Sequence, residues 1–171
     1  QQRVAIARAL SVMPKLLILD EPFSNLDFPR KIELREKLFR YVKQQNISLI
    51  ISTHELQDII PWLDEIVVLQ NGEIIQQGNP EQAFKNPFNA YVAKLFGEVN
   101  IFNEHEIADF QLPKFSYYPK EIRISETGFE AEVLESRFAG NHYWNKVKTL
   151  NKELIIYTDQ KIENPVAISF Y

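Results

Sequence analysis

The chain has 171 residues, a formal net charge of -4 and no cysteine. Its length is enough for one large or two small domains with apolar cores, and its negative charge argues against nucleic acid as the main partner. Without cysteine, a disulfide framework and a thiolate metal site are excluded, and the three histidines, His54, His105 and His142, lack the spacing of metal ligands. No apolar run reaches the roughly 18 residues of a membrane-spanning helix. We therefore expect a soluble intracellular chain.

The first two predicted elements lead to a pair of carboxylates. Residues 1–10 predict a mostly buried helix, because apolar side chains occupy most of its circumference. An apolar run at 16–19 then ends in Asp20 and Glu21, which Pro22 follows. Such a run is typical of a strand covered on both faces, and ligands of open α/β sheets bind beyond the carboxyl ends of strands. Because successive side chains on a strand point to opposite faces, one carboxylate can hold Mg²⁺ while the other faces a water. The alternative is a solvated strand end.

A second apolar run predicts the neighbouring strand. Residues 28–45 have the spacing of an amphipathic helix, and the apolar run at 47–52 is closely followed by His54. A helix between two buried strands forms a βαβ unit, so we expect the strands at 16–20 and 47–52 to be parallel. His54 then lies at the same edge of the sheet as the two carboxylates.

The next segment predicts short elements. Residues 55–62 indicate a short helix, and residues 65–77 read as two strands joined by an Asn-Gly turn. A helix is predicted to begin at Pro80, because proline is favoured in the first helical turn. A last short helix covers 89–96 and ends before a glycine.

Residues 1–97 resemble the second half of an ATP-binding-cassette (ABC) ATPase, a P-loop NTPase. The matches lie in the order of the family: the helix after the signature loop (1–10), Walker B (16–21), the D-loop (24–27) and the switch histidine, His54. The resemblance implies an α/β fold, with part of the ATPase sheet covered by helices.

The resemblance also implies a role for three matched residues. Asp20 would contact Mg²⁺ through its water shell, and Glu21 would orient or deprotonate the attacking water. His54 would contact the γ-phosphate of ATP. These parts suit phosphoryl transfer, which depends on positioning and charge stabilisation. For His54 the alternative is a structural histidine at a strand end.

Three further matched residues have weaker assignments. Asp27 would lie at the interface of an ATPase dimer and couple the two ATP sites, or it caps the following helix, and the two roles are compatible. Gln1 and Gln2 directly follow the position of the signature loop and would lie near nucleotide. Their alternative is a solvated first helical turn.

The phosphate-binding motifs of the family do not occur in this sequence. It has no G-x-x-x-x-G-K-[ST] loop, whose backbone amides and lysine would hold the phosphates. It also has no LSGG signature. We therefore expect a fragment that begins within the ATPase domain, and we expect this chain alone neither to bind MgATP tightly nor to hydrolyse it.

From residue 98 the pattern changes to short β segments. Residues 98–114 predict a connector with one strand or turn. The predicted strands of the region that follows are 115–118, 122–125, 129–138, 142–150, 153–158 and 166–170. Their lengths and turns favour a small β-barrel.

The β region, residues 115–171, resembles the TOBE domain, an OB-like module that follows many importer ATPase domains. Residues 118–124 match its R-P-E-D-[IL]-R-[IL] segment, and residues 132–140 match the strand and turn that come next. Tyr118 takes the place of the usual arginine, which removes any contact made through that arginine.

The two resemblances together imply the ATP-hydrolysing subunit of an ABC importer. It would pair with a second copy, hydrolyse ATP with Mg²⁺ as cofactor, and drive a transmembrane permease. A solute-binding protein would deliver the solute to that permease. The place of the ATP-hydrolysing subunit would be cytoplasmic, at the inner face of the membrane. The sequence leaves the solute open among ferric iron, sulfate, molybdate, polyamine and sugar.

Other functions remain possible from the sequence. The chain could be a regulatory or dimerisation module without ATPase activity, or part of a non-transport ABC ATPase. OB folds also bind nucleic acid by stacking bases on exposed aromatic side chains. The candidates for such a platform are Phe115, Tyr117, Tyr118, Tyr143 and Trp144. Basic residues near them are interspersed with acids, so we expect no nucleic-acid partner.

Overall fold

A computed structural model describes residues 2–24, 26–163 and 165–171, without the side chains of Gln2 and Arg3. The predictions for Gln1 and for the Gln2 side chain lie outside the described residues, as does Asn25 of the D-loop. The chain divides into two compact units, one up to Ile66 with Gly78–Pro80, the other made of 67–77 and 81–171. No helix among the described residues is long and apolar enough to cross a bilayer.

The first unit is built on a parallel βαβ arrangement. Helix α1 covers Gln2–Leu10, strand β1 Leu16–Asp20, helix α2 Phe28–Gln44 and strand β2 Ser48–Ser52. Strands β1 and β2 pair in parallel, which confirms the orientation expected of strands that a helix connects.

An apolar cluster holds this unit together. Helix α2 contributes the face formed by Leu38, Phe39 and Val42, α1 and β1 contribute one buried residue each, and the remaining buried members lie in the connecting segments. The buried members of the cluster outside α2 are Ile6, Leu17, Phe23, Ile47 and Ile59. Burial of the α2 face, at about 25 cal/mol per Å² of apolar surface, is the main force that fixes α2 beneath the two strands. Because the other described side chains of α1 are exposed or half-buried, the prediction of a mostly buried helix is wrong.

The prediction of a helix at 55–62 is wrong. The structure has two 3-10 turns there, Leu56–Asp58 and Ile60–Trp62. Pro61 explains the difference, because proline lacks a backbone N–H and disfavours helical conformation in the residue before it. Trp62 then stacks on Phe39 with ring centroids 5.4 Å apart.

The predicted hairpin is present. Strand β3 covers Ile66–Gln70 and β4 covers Glu73–Gly78, and the two strands pair. Asn71 (φ 53°) and Gly72 (φ 84°) both adopt positive φ, as a two-residue type I′ turn requires.

Two short helices follow the hairpin. Helix α3 covers Pro80–Lys85, so it begins at the predicted proline, and α4 covers Ala90–Leu95. The Asn89 side chain caps α4 by accepting a hydrogen bond from the Val92 N–H at 3.0 Å. Asparagine is among the preferred N-cap residues, which explains where α4 begins.

The connector at 98–114 contains more structure than the predicted strand or turn. Strand β5 covers Asn100–Ile101 and helix α5 covers Glu104–Asp109. A capping box begins α5, in which the side chains of Asn103 and Glu106 each accept a hydrogen bond from the backbone N–H of the other residue. The N-x-x-E spacing that favours this start is visible in the sequence.

The β region forms a five-stranded sheet after strand β6, Ser116–Tyr117, and a 3-10 turn at Pro119–Glu121. Its strands are β7 Ile122–Ser125, β8 Phe129–Phe138, β9 Tyr143–Thr149, β10 Lys152–Thr158 and β11 Val166–Phe170. The order is β10-β9-β8-β11-β7, and every pairing is antiparallel. The outer strands β7 and β10 also lie close together, so the sheet curls on itself. The predicted fold class, an α/β part with a small β domain, is confirmed.

One side of the curled sheet is filled by apolar and aromatic side chains. The most buried members of this core are Tyr117, Ile122, Val147, Leu154, Ile156 and Ile168. Two members of the hypothetical base-stacking platform are themselves buried, with Tyr117 at 1% exposure and Tyr118 at 8%. Because stacking requires an open ring face, these two tyrosines serve packing instead.

Candidate functional site

The two parallel strands bring their polar ends together. The register places Asp20, the last residue of β1, beside Ser52, the last residue of β2. The Ser52 hydroxyl donates a hydrogen bond to Oδ1 of Asp20. Asp20 is exposed to solvent, so its carboxylate remains open to a ligand beyond the edge of the sheet. This is the edge at which open α/β sheets bind ligands.

Glu21 leaves the strand in an unusual backbone conformation. Its φ is 44°, in the left-handed region, and its N–H donates to the carbonyl oxygen of Ser52 at 3.0 Å. A residue other than glycine costs about 1 kcal/mol in such a conformation, and residues of this kind cluster at functional sites. The turn directs the Glu21 side chain toward the residues that follow β2.

The Glu21 carboxylate contacts His54 twice. Its Oε1 accepts a hydrogen bond from the His54 main-chain N–H at 3.1 Å and lies 2.6 Å from Nδ1 of the imidazole. Its Oε2 is 3.4 Å from the Thr53 hydroxyl, which donates to it. The Glu21 side chain is 34% exposed and that of His54 is 74% exposed. Both groups can therefore meet a ligand from solvent.

This contact changes the acid–base behaviour of both residues. The side-chain hydrogen bond from His54 holds the pKa of Glu21 below its ordinary value. The same hydrogen bond, and then the negative charge of Glu21, raise the pKa of His54 above its ordinary value. Near neutral pH the carboxylate is therefore ionised and can accept a proton or orient a water.

Asp27 lies apart from this contact. It occupies the N-cap position of α2, but its side chain makes no capping hydrogen bond. Instead its carboxylate pairs with Nε of Arg30 at 3.4 Å, and its carbonyl oxygen accepts the N–H of Lys31 at 2.9 Å. Proline in the first turn of α2 helps the helix to begin there without the side-chain cap.

Three residues of the site were not predicted as site residues. Ser52 and Thr53 hold the carboxylates of Asp20 and Glu21, and Lys31 pairs with carboxylates just after His54. The polar pair that ends the apolar run at 47–52 is a signal that could have identified Ser52 and Thr53. For Lys31 the sequence offers no local signal, because its partners lie more than twenty residues away in the chain.

The site fits Mg²⁺ held mainly through water. Among residues 2–24, 26–163 and 165–171, no group of three or more His, Asp or Glu side chains could enclose a metal ion. Mg²⁺ usually keeps several waters and binds one or two carboxylates together with substrate phosphates. The exposed carboxylate of Asp20 suits that mode of binding.

No family model matches the chain, but comparison with known proteins finds relatives that are named as import ATP-binding proteins. The spermidine/putrescine import ATP-binding protein of Clostridium novyi (strain NT) is 36% identical over 95% of this chain and 53% of its own length. The sulfate/thiosulfate import ATP-binding protein 2 of Shewanella oneidensis is 43% identical over 60% of this chain and 29% of its own length. The chain therefore spans about half the length, or less, of these relatives.

Among solved structures, a part of the cbiONQ ABC transporter complex from Clostridium perfringens is 39% identical, with a TM-score of 0.45. That match covers 49% of this chain and 34% of the other. The Clostridium novyi relative matches nearly the whole chain, including the β region. The chain belongs to the ATP-binding subunits of ABC importers and corresponds to their C-terminal region, with Walker B, the D-loop, the switch histidine and a TOBE-like domain.

Proposed function

We propose that the protein hydrolyses ATP to drive the import of a solute through a membrane permease. The observation that carries this proposal is the contact between Glu21 and His54 at the ends of two parallel strands, beside Asp20. A water-orienting carboxylate, a phosphate-facing imidazole and a metal-holding carboxylate are the parts that phosphoryl transfer needs. The relatives named as import ATP-binding proteins support the same function.

Glu21 and His54 would share the chemical step. Glu21 is ionised at neutral pH because the hydrogen bond from His54 lowers its pKa, so it can orient or deprotonate the attacking water. Nδ1 of His54 contacts Glu21, and the raised pKa of His54 favours the imidazolium, in which Nδ1–H donates to the carboxylate and Nε2–H is a donor for the γ-phosphate. A donor fixed at that position stabilises charge that develops in the transition state.

Asp20 would hold Mg²⁺ through the water shell of the ion. When bound, the ion would neutralise charge on the phosphates of ATP. The hydroxyl of Ser52 holds Oδ1 of Asp20, so the orientation of the carboxylate is set before any ligand arrives. Such preorganisation reduces the cost of assembling the site.

Residues 1–97 would form part of an ATPase domain, 98–114 a connector and 115–171 the TOBE-like domain. Asp27 would lie at the interface with a second copy. The subunit would lie at the inner face of the cell membrane, bound to a permease that receives its solute from a solute-binding protein. Because residues 1–171 contain no G-x-x-x-x-G-K-[ST] loop, we expect these residues by themselves to bind MgATP weakly and to be inactive.

The relatives favour a polyamine as the solute. Three matches that extend over 95% of this chain are to proteins named for spermidine and putrescine import. The match named for sulfate and thiosulfate import covers 60% of the chain. A comparison of uptake of labelled spermidine and labelled sulfate in cells with and without the gene distinguishes the two.

The test of the proposed function is ATP hydrolysis by the protein as its gene encodes it, in wild-type form and as Asp20→Asn and His54→Ala. We expect each substitution to lower turnover by roughly tenfold or more, since each removes a group that contacts the reacting phosphates or their metal ion. Asp64→Asn, a change of the same kind outside the described site, is the control. Normal turnover in both site variants would overturn the proposal.

A further inference from the structure

Lys31 connects helix α2 to the segment that carries His54. Its Nζ donates to Oε2 of Glu55 and, at 2.6 Å, to Oδ2 of Asp58. Its side chain is 14% exposed, whereas those of Glu55 and Asp58 are 42% and 28% exposed. Partly buried charged hydrogen bonds are stronger than exposed ion pairs, whose stabilisation is small. Lys31 is therefore a firm anchor for the chain on either side of Leu56.

The segment from Thr53 to Asp58 depends on side-chain contacts because it has little regular structure. After β2 ends at Ser52, one 3-10 turn at Leu56–Asp58 is its only helical part. The N–H of Glu55 donates to the Thr53 hydroxyl at 3.0 Å, and that hydroxyl donates to Glu21. Hydrogen bonds thus run from Lys31 through Glu55 and Thr53 to Glu21.

His54 lies in the segment that Lys31 and Glu21 hold through these hydrogen bonds. Its imidazole is 74% exposed, so surrounding side chains restrict it little, and its position depends on the backbone at 53–55 and on Glu21. Lys31 holds that backbone from one side through Glu55, and Glu21 holds it from the other through the His54 N–H. A shift of the segment would separate the imidazole from the carboxylate.

We propose that Lys31 is a positioning residue for the reaction: through Glu55 and Asp58 it keeps His54 in register with Glu21. This proposal rests on the proposed function. The N–H of Lys31 also donates to the carbonyl oxygen of Asp27 at 2.9 Å, so the start of α2 and the segment carrying His54 are linked through one residue. Movement of the D-loop at a subunit interface would thereby reach His54.

The pKa of His54 distinguishes a positioning role of Lys31 from a purely electrostatic effect of its charge. The two predict shifts of this pKa in opposite directions when Lys31 is replaced. Lys31 is a nearby positive charge, and by charge alone it lowers the pKa of His54. Replacement of Lys31 by methionine would therefore raise this pKa if charge were the only effect. If Lys31 positions His54, the same replacement weakens the contact with Glu21, which is the main cause of the raised value, and the pKa falls.

The measurement is NMR titration of the His54 imidazole in the protein as its gene encodes it, with the resonance assigned by its loss in His54→Gln. We expect Lys31→Met to lower the pKa of His54 and Lys31→Arg to leave it near the wild-type value, because arginine can keep both ion pairs. Lys37→Met is the matched control on α2, since Lys37 pairs with Glu33 and is 72% exposed. If Lys31→Met does not fold, Asp58→Asn tests the same link, because Asp58 bonds Lys31.

ATP turnover of the same variants separates the failure of this proposal from that of the proposed function. We expect Lys31→Met to lower turnover by roughly tenfold, since small displacements of catalytic groups are costly, and Lys37→Met to leave it unchanged. The role of Lys31 alone is refuted if Glu21→Gln abolishes turnover while Lys31→Met keeps wild-type turnover and a His54 pKa that is unchanged or raised. Asp58→Asn is judged in the same way if it has to replace Lys31→Met. If Glu21→Gln hydrolyses ATP normally, the proposed function itself fails.

Discussion

Oε1 of Glu21 contacts His54 at two points, the main-chain N–H at 3.1 Å and ring Nδ1 at 2.6 Å. One carboxylate oxygen thus fixes both the backbone and the side chain of the residue that follows the neighbouring strand. Because Glu21 has left β1 with a φ of 44°, the contact depends on a backbone conformation that strand pairing alone does not produce.

Glu21→Gln is predicted to lower the pKa of His54 toward its ordinary value of about 6.5. The hydrogen bond and the negative charge of Glu21 favour protonated His54, and the neutral amide supplies no such charge. NMR titration of the imidazole measures the change. Glu36→Gln, an exposed residue of α2, is the control, and an unchanged His54 pKa in Glu21→Gln would show that the contact is absent in solution.

The same contact sets a pH window for its contribution to stability. The pKa of His54 is raised, so its share is present below about pH 6.5 and is lost as pH rises through the folded pKa. The pKa of Glu21 is lowered, so its share is present above about pH 4.5 and is lost as pH falls through the folded pKa. The pair therefore stabilises most between these values, and the difference in unfolding free energy between wild type and Glu21→Gln should be largest there.

Tyr118→Phe is predicted to destabilise the β region by about 1 kcal/mol. The Tyr118 hydroxyl is buried and donates to the carbonyl oxygen of Ala93 at 3.0 Å. Phenylalanine removes this hydrogen bond, and the oxygen keeps the N–H of Phe96 as a donor at 3.2 Å. The ring itself stacks on Phe84 with centroids 4.2 Å apart, a contact that the substitution keeps. Urea unfolding measures the change, with Tyr171→Phe as control because Tyr171 is 63% exposed. Equal stability of the two variants would contradict the account of Tyr118.

Asn100→Asp is predicted to destabilise the protein by about 3 kcal/mol or more. The Asn100 side chain pairs with Ile155 like a strand residue, since Nδ2 donates to its carbonyl oxygen and Oδ1 accepts its N–H, both at 2.8 Å. Nδ2 also donates to the carbonyl oxygen of Tyr117 at 3.2 Å. A carboxylate of the same shape cannot donate and would face two carbonyl oxygens in a buried position.

The control for this prediction is Asn71→Asp. Asn71 is exposed in the hairpin turn, where aspartate is also a common residue. We expect its unfolding free energy to change by no more than about 0.5 kcal/mol. If Asn100→Asp were equally mild in urea unfolding, the pairing of Asn100 with Ile155 would not hold in solution.

The strands of the chain were predictable because their patterns are local. The apolar run before Asp20 and the run before His54 gave both the strands and their parallel order, since a helix of adequate length lies between them. Strands that end at one edge bring their next residues together, so the meeting of Glu21 with His54 was within reach of the sequence. The strands of the β region followed from their spacing in the same way.

Other features depend on contacts between distant residues or on competing local effects. The role of Lys31 requires side chains 24 and 27 residues away, and no periodicity reports such a pair. Pro61 overrides the apolar spacing that favoured a helix at 55–62. Helix α5 was missed although its capping box is local, because the apolar pattern after Asn103 is too short to indicate a helix.

Glu21 is proposed to act on the water that attacks ATP, and the Glu21→Gln variant distinguishes this role from a role in ATP binding. ATP binding and ATP hydrolysis are measured on wild type and Glu21→Gln of the protein as its gene encodes it. We expect the variant to bind ATP as wild type does but to hydrolyse it at least about a hundredfold more slowly, the contribution expected of a positioned general base. Turnover by Glu21→Gln at the wild-type rate would show that Glu21 does not act on the attacking water.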